Sequence, residues 1–163
     1  MISYYLCSIK SKIKFMKRLL ILLVSGLFAL NVMAQGDGFG LGVILGEPTG
    51  LSGKYWVSEK SAIDGGIAWS MYDQGSLHLH ADYLFHAFNL INVSKGQLPL
   101  YFGIGARVKL ADDVRFGARI PVGLDYLFED APLDIFLEIV PILDLVPATA
   151  FNMNGAIGIR YWF

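Results

Sequence analysis

Residues 77–83, LHLHADY, alternate strictly between apolar and polar side chains. Successive side chains of a β-strand point to opposite faces, whereas one face of an α-helix returns every 3.6 residues. The stretch therefore predicts a strand with one apolar face and one polar face.

The same alternation continues along the chain between short runs rich in Gly, Pro, Asp, Asn and Ser, which favour turns. Eight segments have about the length of a membrane-crossing strand, and they are Gly38–Gly46, Leu51–Ser58, Ala62–Tyr72, Leu77–Phe88, Leu100–Leu110, Arg115–Phe128, Leu133–Leu145 and Met153–Phe163. No helical period occurs after residue 35. The pattern therefore predicts an all-β fold, an eight-stranded antiparallel up-and-down β-barrel.

Whether the apolar face points outward or inward distinguishes a membrane barrel from a soluble one. The apolar face carries bulky residues on every strand, Phe102 and Phe116 among them, and these are more than an eight-stranded lumen holds. The charged face is interspersed with glycines, which leave room for long side chains inside. We therefore predict a transmembrane β-barrel, with Leu137 toward lipid and its neighbour Glu138 in the lumen. The alternative is a soluble secreted lipocalin-like barrel that binds an apolar ligand, with the faces reversed.

The first 34 residues have the composition of a secretory leader. They contain five basic residues and no acidic one, and the basic stretch precedes the apolar run Leu19–Leu30. This run of about 12 residues is shorter than the ~20 that a spanning helix needs, and residues 32–34, VMA, fit a cleavage site. We predict a signal peptide at 1–34, in which the residues before Met16 are a candidate extension, and one barrel domain at 35–163. An amino-terminal membrane anchor is the alternative.

Composition and charge exclude one class of function. The chain is 55% hydrophobic and 17% charged, against roughly 25% charged in soluble domains, which is unusual for a cytosolic protein. Without the leader, eight basic residues face 14 acidic ones, a net charge of −6. Because the chain is acidic and has no basic cluster, we exclude nucleic acid as a partner.

The charged face contains both signs in similar numbers, and buried charges must be paired. We therefore predict a lumen closed by salt bridges among Lys54, Asp64, Asp82, Arg107, Arg119, Asp125, Glu138 and Arg160. Counting back from the expected turns places Lys54 opposite Asp64 and Glu138 opposite Arg160. A general porin is excluded because side chains fill an eight-stranded lumen. A proton or ion path through the network is a less favoured interpretation.

The three histidines, His78, His80 and His86, share one face of one predicted strand. Histidines two residues apart on a strand lie about 7 Å apart, a spacing that can supply metal ligands. No cysteine or further histidine follows residue 35 to complete a site. We therefore predict no metal and no cofactor, with His80 near Ser70 and His86 near Asp64 as polar lumen residues.

Catalysis would need a nucleophile and a base in contact, and Ser70, His80 and Asp82 are the one candidate trio. These side chains are expected to point into the lumen, away from lipid acyl chains. We therefore predict no catalytic residues, and a lipid-modifying barrel enzyme is the alternative function.

Two prolines, Pro121 and Pro141, lie inside predicted strands, where proline removes a ladder hydrogen bond. Counting back from the turn near Asp130 places them roughly opposite each other, which predicts a β-bulge. The connections expected at one end of the barrel are short, and the longest connection, Asn89–Pro99, falls at the other end.

Residues 157–163, IGIRYWF, form an alternating hydrophobic run closed by an aromatic residue. With the leader and the eight strands, this ending resembles the small outer-membrane barrels of the OmpA transmembrane domain and OmpX type. Ile159, Tyr161 and Phe163 look like the carboxy-terminal signal that the barrel insertion machinery reads. The first hairpin, residues 46–56, is also similar to that of an uncharacterised outer-membrane barrel family of unknown function.

The resemblance implies a location in the outer membrane of a Gram-negative bacterium. The implied partners are outer-membrane lipids, the barrel insertion machinery and periplasmic chaperones. Such barrels usually have long outer loops, and the short turns expected here disfavour an adhesin or a receptor. The expected role is therefore structural or interaction-based.

Overall fold

The structure, a computed structural model, describes residues 38–70, 75–111 and 113–163. The predicted signal peptide at 1–34 lies outside these residues. In the described ranges every regular element is a β-strand. None of the described residues belongs to a helix long and apolar enough to cross a membrane.

In this part of the chain, nine strand segments form one antiparallel sheet. They are β1 (Phe39–Glu47), β2 (Thr49–Ser58), β3 (Ser61–Ser70), β4 (Ser76–Ala87), β5 (Leu100–Leu110), β6 (Arg115–Arg119), β7 (Val122–Leu127), β8 (Leu133–Val146) and β9 (Ala150–Trp162). Because β1 pairs with both β2 and β9, the sheet closes into a ring. Strands β6 and β7 both lie between β5 and β8 as two parts of one strand. The predicted eight-stranded up-and-down barrel is therefore confirmed.

The bulge predicted at Pro121 and Pro141 does not form. Strands β6 and β7 keep one register against β5 and one against β8 on both sides of Pro121. The Pro121 carbonyl still accepts a hydrogen bond from Gly103 N at 2.9 Å. The sheet therefore tolerates the proline by the loss of one donor, without the inserted residue that a bulge needs. In the β6–β8 pair the register shifts instead between Phe116 and Gly117.

The apolar face of the sheet covers the outside of the barrel. Leu137 is 55% exposed, whereas its neighbour Glu138 is 8% exposed. Large apolar side chains are also exposed on each of the other strands, for example Leu51, Ile104 and Ile159. This arrangement confirms the predicted orientation, and it is the reverse of the one that the lipocalin-like alternative requires.

Two apolar clusters share the interior with the charges. One cluster consists of Ile44, Leu84, Tyr101 and Phe136. The other consists of Trp56, Ala62, Leu127 and Trp162. It packs at the end of the barrel where β2 turns into β3, and Phe88 lies against it. Large side chains therefore fill the lumen between the charged groups.

Short connections join the strands at one end of the barrel, as predicted. One residue, Pro48, connects β1 to β2, and residues 147–149 connect β8 to β9. The longest connection between described strands is 88–99, at the opposite end. It is attached to the barrel wall, because Gln97 and Leu127 exchange backbone hydrogen bonds of 2.8 and 3.0 Å.

Candidate functional site

The interior of the barrel concentrates the buried charges of the chain. All eight residues of the predicted lumen network are buried. Three more charged residues, Lys109, Asp134 and Asp144, are buried with them. Glycines of the inner face make room for charged side chains, because a Cβ on Gly117 would lie 2.5 Å from Asp144 Oδ1.

The largest ion-pair group, which we call the Arg160 cluster, contains Lys54, Asp64, Asp125, Asp134 and Arg160. Arg160 donates to Asp134 Oδ1 at 3.0 Å and to Asp64 Oδ1 at 2.8 Å. It also donates to Asp125 Oδ2 at 3.4 Å, and Lys54 Nζ lies 2.5 Å from the same oxygen. Two cations are thus shared among three carboxylates from β3, β7 and β8.

A second group, the Arg119 cluster, contains Asp82, Arg119 and Glu138. Arg119 Nε donates to both oxygens of Asp82, at 3.0 and 3.1 Å. Its Nη2 lies 3.5 Å from Glu138 Oε1. Separately, Arg107 Nη2 donates to both oxygens of Asp144 at 2.8 Å. The eight predicted residues therefore fall into two clusters and one separate pair, and Asp144 completes that pair.

The cross-strand partners predicted by counting back from the turns were correct for one pair and wrong for the other. Lys54 lies opposite Asp64, as predicted. Arg160, however, lies opposite Asp134, while Glu138 lies opposite Ala156. The pairing centres the last hairpin two residues earlier in the chain than the count assumed, and a turn sets the register of both its strands. This moves Arg160 by four residues along β8.

The positions predicted for two histidines are wrong for the same reason. His80 lies opposite Gly66 rather than near Ser70. Its Nε2 is 3.9 Å from Asp64 Oδ2. The other residue, His86, has its Nε2 2.8 Å from Lys54 Nζ. In the β3–β4 hairpin Ser70 pairs with Ser76, so this turn is also centred earlier than the count assumed.

The candidate catalytic trio is not assembled by hydrogen bonds. Ser70 Oγ and His80 Nδ1 are buried without a hydrogen-bond partner among the described residues. Asp82 is held by Arg119 instead. The geometry of these three residues therefore provides no activated nucleophile.

The barrel also brings together a set of residues that the sequence did not assemble. One ligand atom from each of Asp64, His80 and Asp82 lies within 4.8 Å of the other two. His80 and Asp82 share a strand face, and the third residue comes from β3, where it is the direct cross-strand partner of Asp82. Only the register of the β3–β4 hairpin could have revealed this set.

Two buried aromatic residues complete the polar network and were missed. Tyr101 donates to Glu138 Oε2 at 3.0 Å, and Trp162 Nε1 donates to Asp134 Oδ2 at 2.9 Å. Both occupy inward positions of their strands, so the alternation could have identified them as lumen residues. They were missed because their large rings are mostly apolar.

The three residues of the predicted insertion signal lie where the barrel closes. Ile159 is paired with Val43 of β1 and is 41% exposed. Tyr161 is paired with Leu41. Phe163 follows β9, and its backbone N donates to Phe39 O at 3.0 Å.

Comparison with known proteins supports the fold. No protein-family model matches the chain, and no curated protein sequence matches it. The N-terminal β-barrel domain of OprF from Pseudomonas aeruginosa superposes with a TM-score of 0.64 at 14% identity, over 79% of this chain and 100% of that one. A de novo designed transmembrane β-barrel superposes with a TM-score of 0.55 at 18% identity, over 80% of this chain and 100% of that one. The chain thus has the fold of a small eight-stranded transmembrane β-barrel.

Proposed function

We propose that the chain is a small structural or interaction protein of the bacterial outer membrane, secreted with a cleaved leader and inserted as a closed barrel. In this role the barrel catalyses no reaction, and its lumen carries no general solute flow.

The observation that carries the proposal is the opposite exposure of neighbouring residues. Leu137 is 55% exposed and Glu138 is 8% exposed, in a sheet that closes on itself. A closed sheet is stable in the hydrocarbon of a bilayer because every strand forms backbone hydrogen bonds with a neighbour on each side. In water, exposed apolar side chains on every strand would promote aggregation.

The packing of the lumen supports a role without transport. The Lys54–Asp125 ion pair connects opposite walls of the barrel, and the Arg107–Asp144 pair connects β5 to β8. Trp56 and Trp162 stack with ring centres 6.1 Å apart. Eight strands leave room for side chains and little else. We therefore expect no stable open channel when the purified protein is added to a planar bilayer, and a steady open state would contradict the closed lumen.

The ending of β9 supports assembly by the insertion machinery. Ile159 and Tyr161 belong to the strand that pairs with β1 and closes the ring, and Phe163 follows it with a backbone hydrogen bond to Phe39. A chain that lacks residues 161–163 is expected to accumulate in the periplasm, where chaperones and proteases act on it.

Site-specific labelling tests the proposal directly. Single cysteines replace Leu137 or Glu138 in a chain without Cys7, and a lipid-soluble maleimide is added to isolated membranes. We expect Leu137→Cys to react and Glu138→Cys to stay protected until the barrel is unfolded. The reverse result would contradict the proposal. Recovery of the untreated protein in the aqueous fraction without detergent would contradict it too.

Analysis of the host's lipid A tests whether the barrel is an enzyme. Lipid A from a deletion strain is expected to match that of the parent and that of a strain that carries His80→Ala. A deletion-specific change in acylation that His80→Ala reproduces would establish the enzyme instead.

A further inference from the structure

Two carboxylates face each other directly on the inner side of the β3–β4 hairpin. Asp64 and Asp82 are cross-strand partners, and like charges in such positions destabilise an antiparallel pair. His80 precedes Asp82 by two residues on the same face. It places its Nε2 3.9 Å from Asp64 Oδ2. The hairpin therefore presents two oxygens and one nitrogen to a single point.

His80 differs from the other two histidines in its partners. His78 Nε2 lies 3.0 Å from Ser76 Oγ, and His86 Nε2 lies 2.8 Å from Lys54 Nζ. The His80 side chain is 6% exposed, and among the described residues its Nδ1, like that of His86, has no hydrogen-bond partner. The 3.9 Å between Nε2 and Asp64 exceeds a hydrogen bond. An imidazole buried in this way is unfavourable unless another group binds it.

Among the described ion pairs, both clusters contain more carboxylates than cations. The Arg160 cluster has three carboxylates for two cations, and the Arg119 cluster has two carboxylates for one. Asp64 belongs to the first cluster and Asp82 to the second. A divalent cation at their junction would therefore balance the excess negative charge of both clusters.

The neighbouring groups already orient the ligands. Arg160 contacts Asp64 through Oδ1, which leaves Oδ2 directed toward His80. Arg119 Nε donates to both oxygens of Asp82 and so fixes the position of that carboxylate. Partners that hold the ligand side chains in this way are typical of metal sites. Gly66, opposite His80, leaves the required space, because a Cβ there would lie 2.5 Å from the imidazole ring.

We propose that Asp64, His80 and Asp82 bind one divalent transition-metal ion of the zinc class inside the barrel. Tetrahedral Zn²⁺ holds nitrogen and oxygen ligands at about 2.0–2.2 Å, which puts its ligand atoms roughly 3.4 Å apart. The three ligand atoms, now within 4.8 Å of one another, reach this spacing when side chains move by about 1.5 Å or less. The imidazole favours this class over Ca²⁺ and Mg²⁺, which take oxygen ligands.

A small cavity lies against His80, although neither Asp64 nor Asp82 lines it. It has a volume of about 20 Å³ and is lined by His80, Arg119, Glu138 and Asn154, among others. This volume accommodates one water molecule. Three protein ligands and one water form a common zinc coordination sphere.

Calorimetry on three proteins tests the site. The wild-type barrel and the variants His80→Gln and His78→Gln are folded in detergent, checked by heat-modifiable migration, stripped with EDTA, dialysed and titrated with ZnCl₂. We expect one Zn²⁺ per wild-type chain. Affinity falls more than about 100-fold in His80→Gln, because even the loss of a ligand's supporting partner costs 10- to 100-fold. His78→Gln, the matched control on the same strand face, stays within about twofold. Equal losses in both variants, or no saturable binding by the wild type, would overturn the proposal.

A measurement on the wild type keeps the test independent of variant folding. The imidazole signals of the three histidines are followed by NMR in isotope-labelled protein while Zn²⁺ is added. One ring, assigned to His80 through its contacts to Asp64 and Gly66, is expected to shift at one equivalent. A shift confined to His78 or His86 would overturn the proposed site.

Discussion

The outer surface and the lumen of this barrel follow different rules of side-chain placement. On the outer surface, each residue meets its environment according to its position in the alternation, so Leu137 and Ile159 are exposed. In the lumen, some partners come from strands that are not adjacent. Lys54 on β2 contacts Asp125 on β7, and Arg160 on β9 contacts Asp64 on β3.

The difference arises from the length of the side chains and the width of the barrel. In a barrel this narrow, an inward arginine or lysine reaches past its neighbouring strands, and Lys54 reaches the opposite wall. Its partner is therefore chosen by the position of both strands around the ring, in addition to the register of its own hairpin. The exposure of an outward residue can therefore be predicted from its position along the sequence, whereas the partner of an inward residue depends on the three-dimensional arrangement of the strands.

Removal of the Arg160 guanidinium is expected to lower the free energy of unfolding more than any other change considered below. Arg160→Leu leaves Asp64, Asp125 and Asp134 with Lys54 as the remaining cation of their cluster, and breaking a buried pair costs about 3–5 kcal/mol. Urea unfolding in detergent or lipid vesicles measures the free energy. Arg160→Lys, which keeps the charge without the planar geometry, should lose less. A loss below about 1 kcal/mol for Arg160→Leu would show that the Arg160 cluster does not hold the barrel together.

The adjacent residue tests the outer surface at the same depth. Ile159→Arg places a charge on the lipid-facing side of β9, opposite the middle of β1. An arginine near the bilayer midplane costs about 2–4 kcal/mol, so unfolding in vesicles should show that loss. The control Ile159→Leu should change stability by less than about 1.5 kcal/mol. Equal stability of Ile159→Arg and Ile159→Leu would contradict a lipid-facing position.

A pair of mutant cycles separates the observed lumen partner from the one expected by counting. Arg160→Gln is combined with Asp134→Asn in one cycle and with Glu138→Gln in the other. Residues in direct contact couple by about 0.5–3 kcal/mol, and independent sites add within about 0.5 kcal/mol. We expect coupling of about 1–3 kcal/mol with Asp134 and a smaller coupling with Glu138. The opposite ranking would restore the register that the last hairpin was first assumed to have.

The sequence was sufficient for the fold and for the inward or outward direction of each strand position. Alternation and turn residues are local properties, and they located all eight strands, including the strand that Pro121 interrupts. The sequence was insufficient for contacts inside the lumen, because an error of two residues in a hairpin centre moves every pair by four. For this reason Glu138 was assigned to Arg160, and the set of Asp64, His80 and Asp82 was missed.

The smallest expected effect concerns the interruption at Pro121. Its ring nitrogen lacks the proton that would complete its pairing with Gly103, while its carbonyl already accepts from Gly103 N. Pro121→Ala restores that donor, a gain of about 0.5–1.5 kcal/mol. Greater freedom of the unfolded chain offsets this by about 0.4–1 kcal/mol. Stability should therefore change by less than about 1 kcal/mol, while hydrogen exchange should find the amide gained at position 121 protected like its neighbours. A loss above about 2 kcal/mol, or an unprotected amide, would show that the proline is required and that β6 and β7 do not behave as one strand.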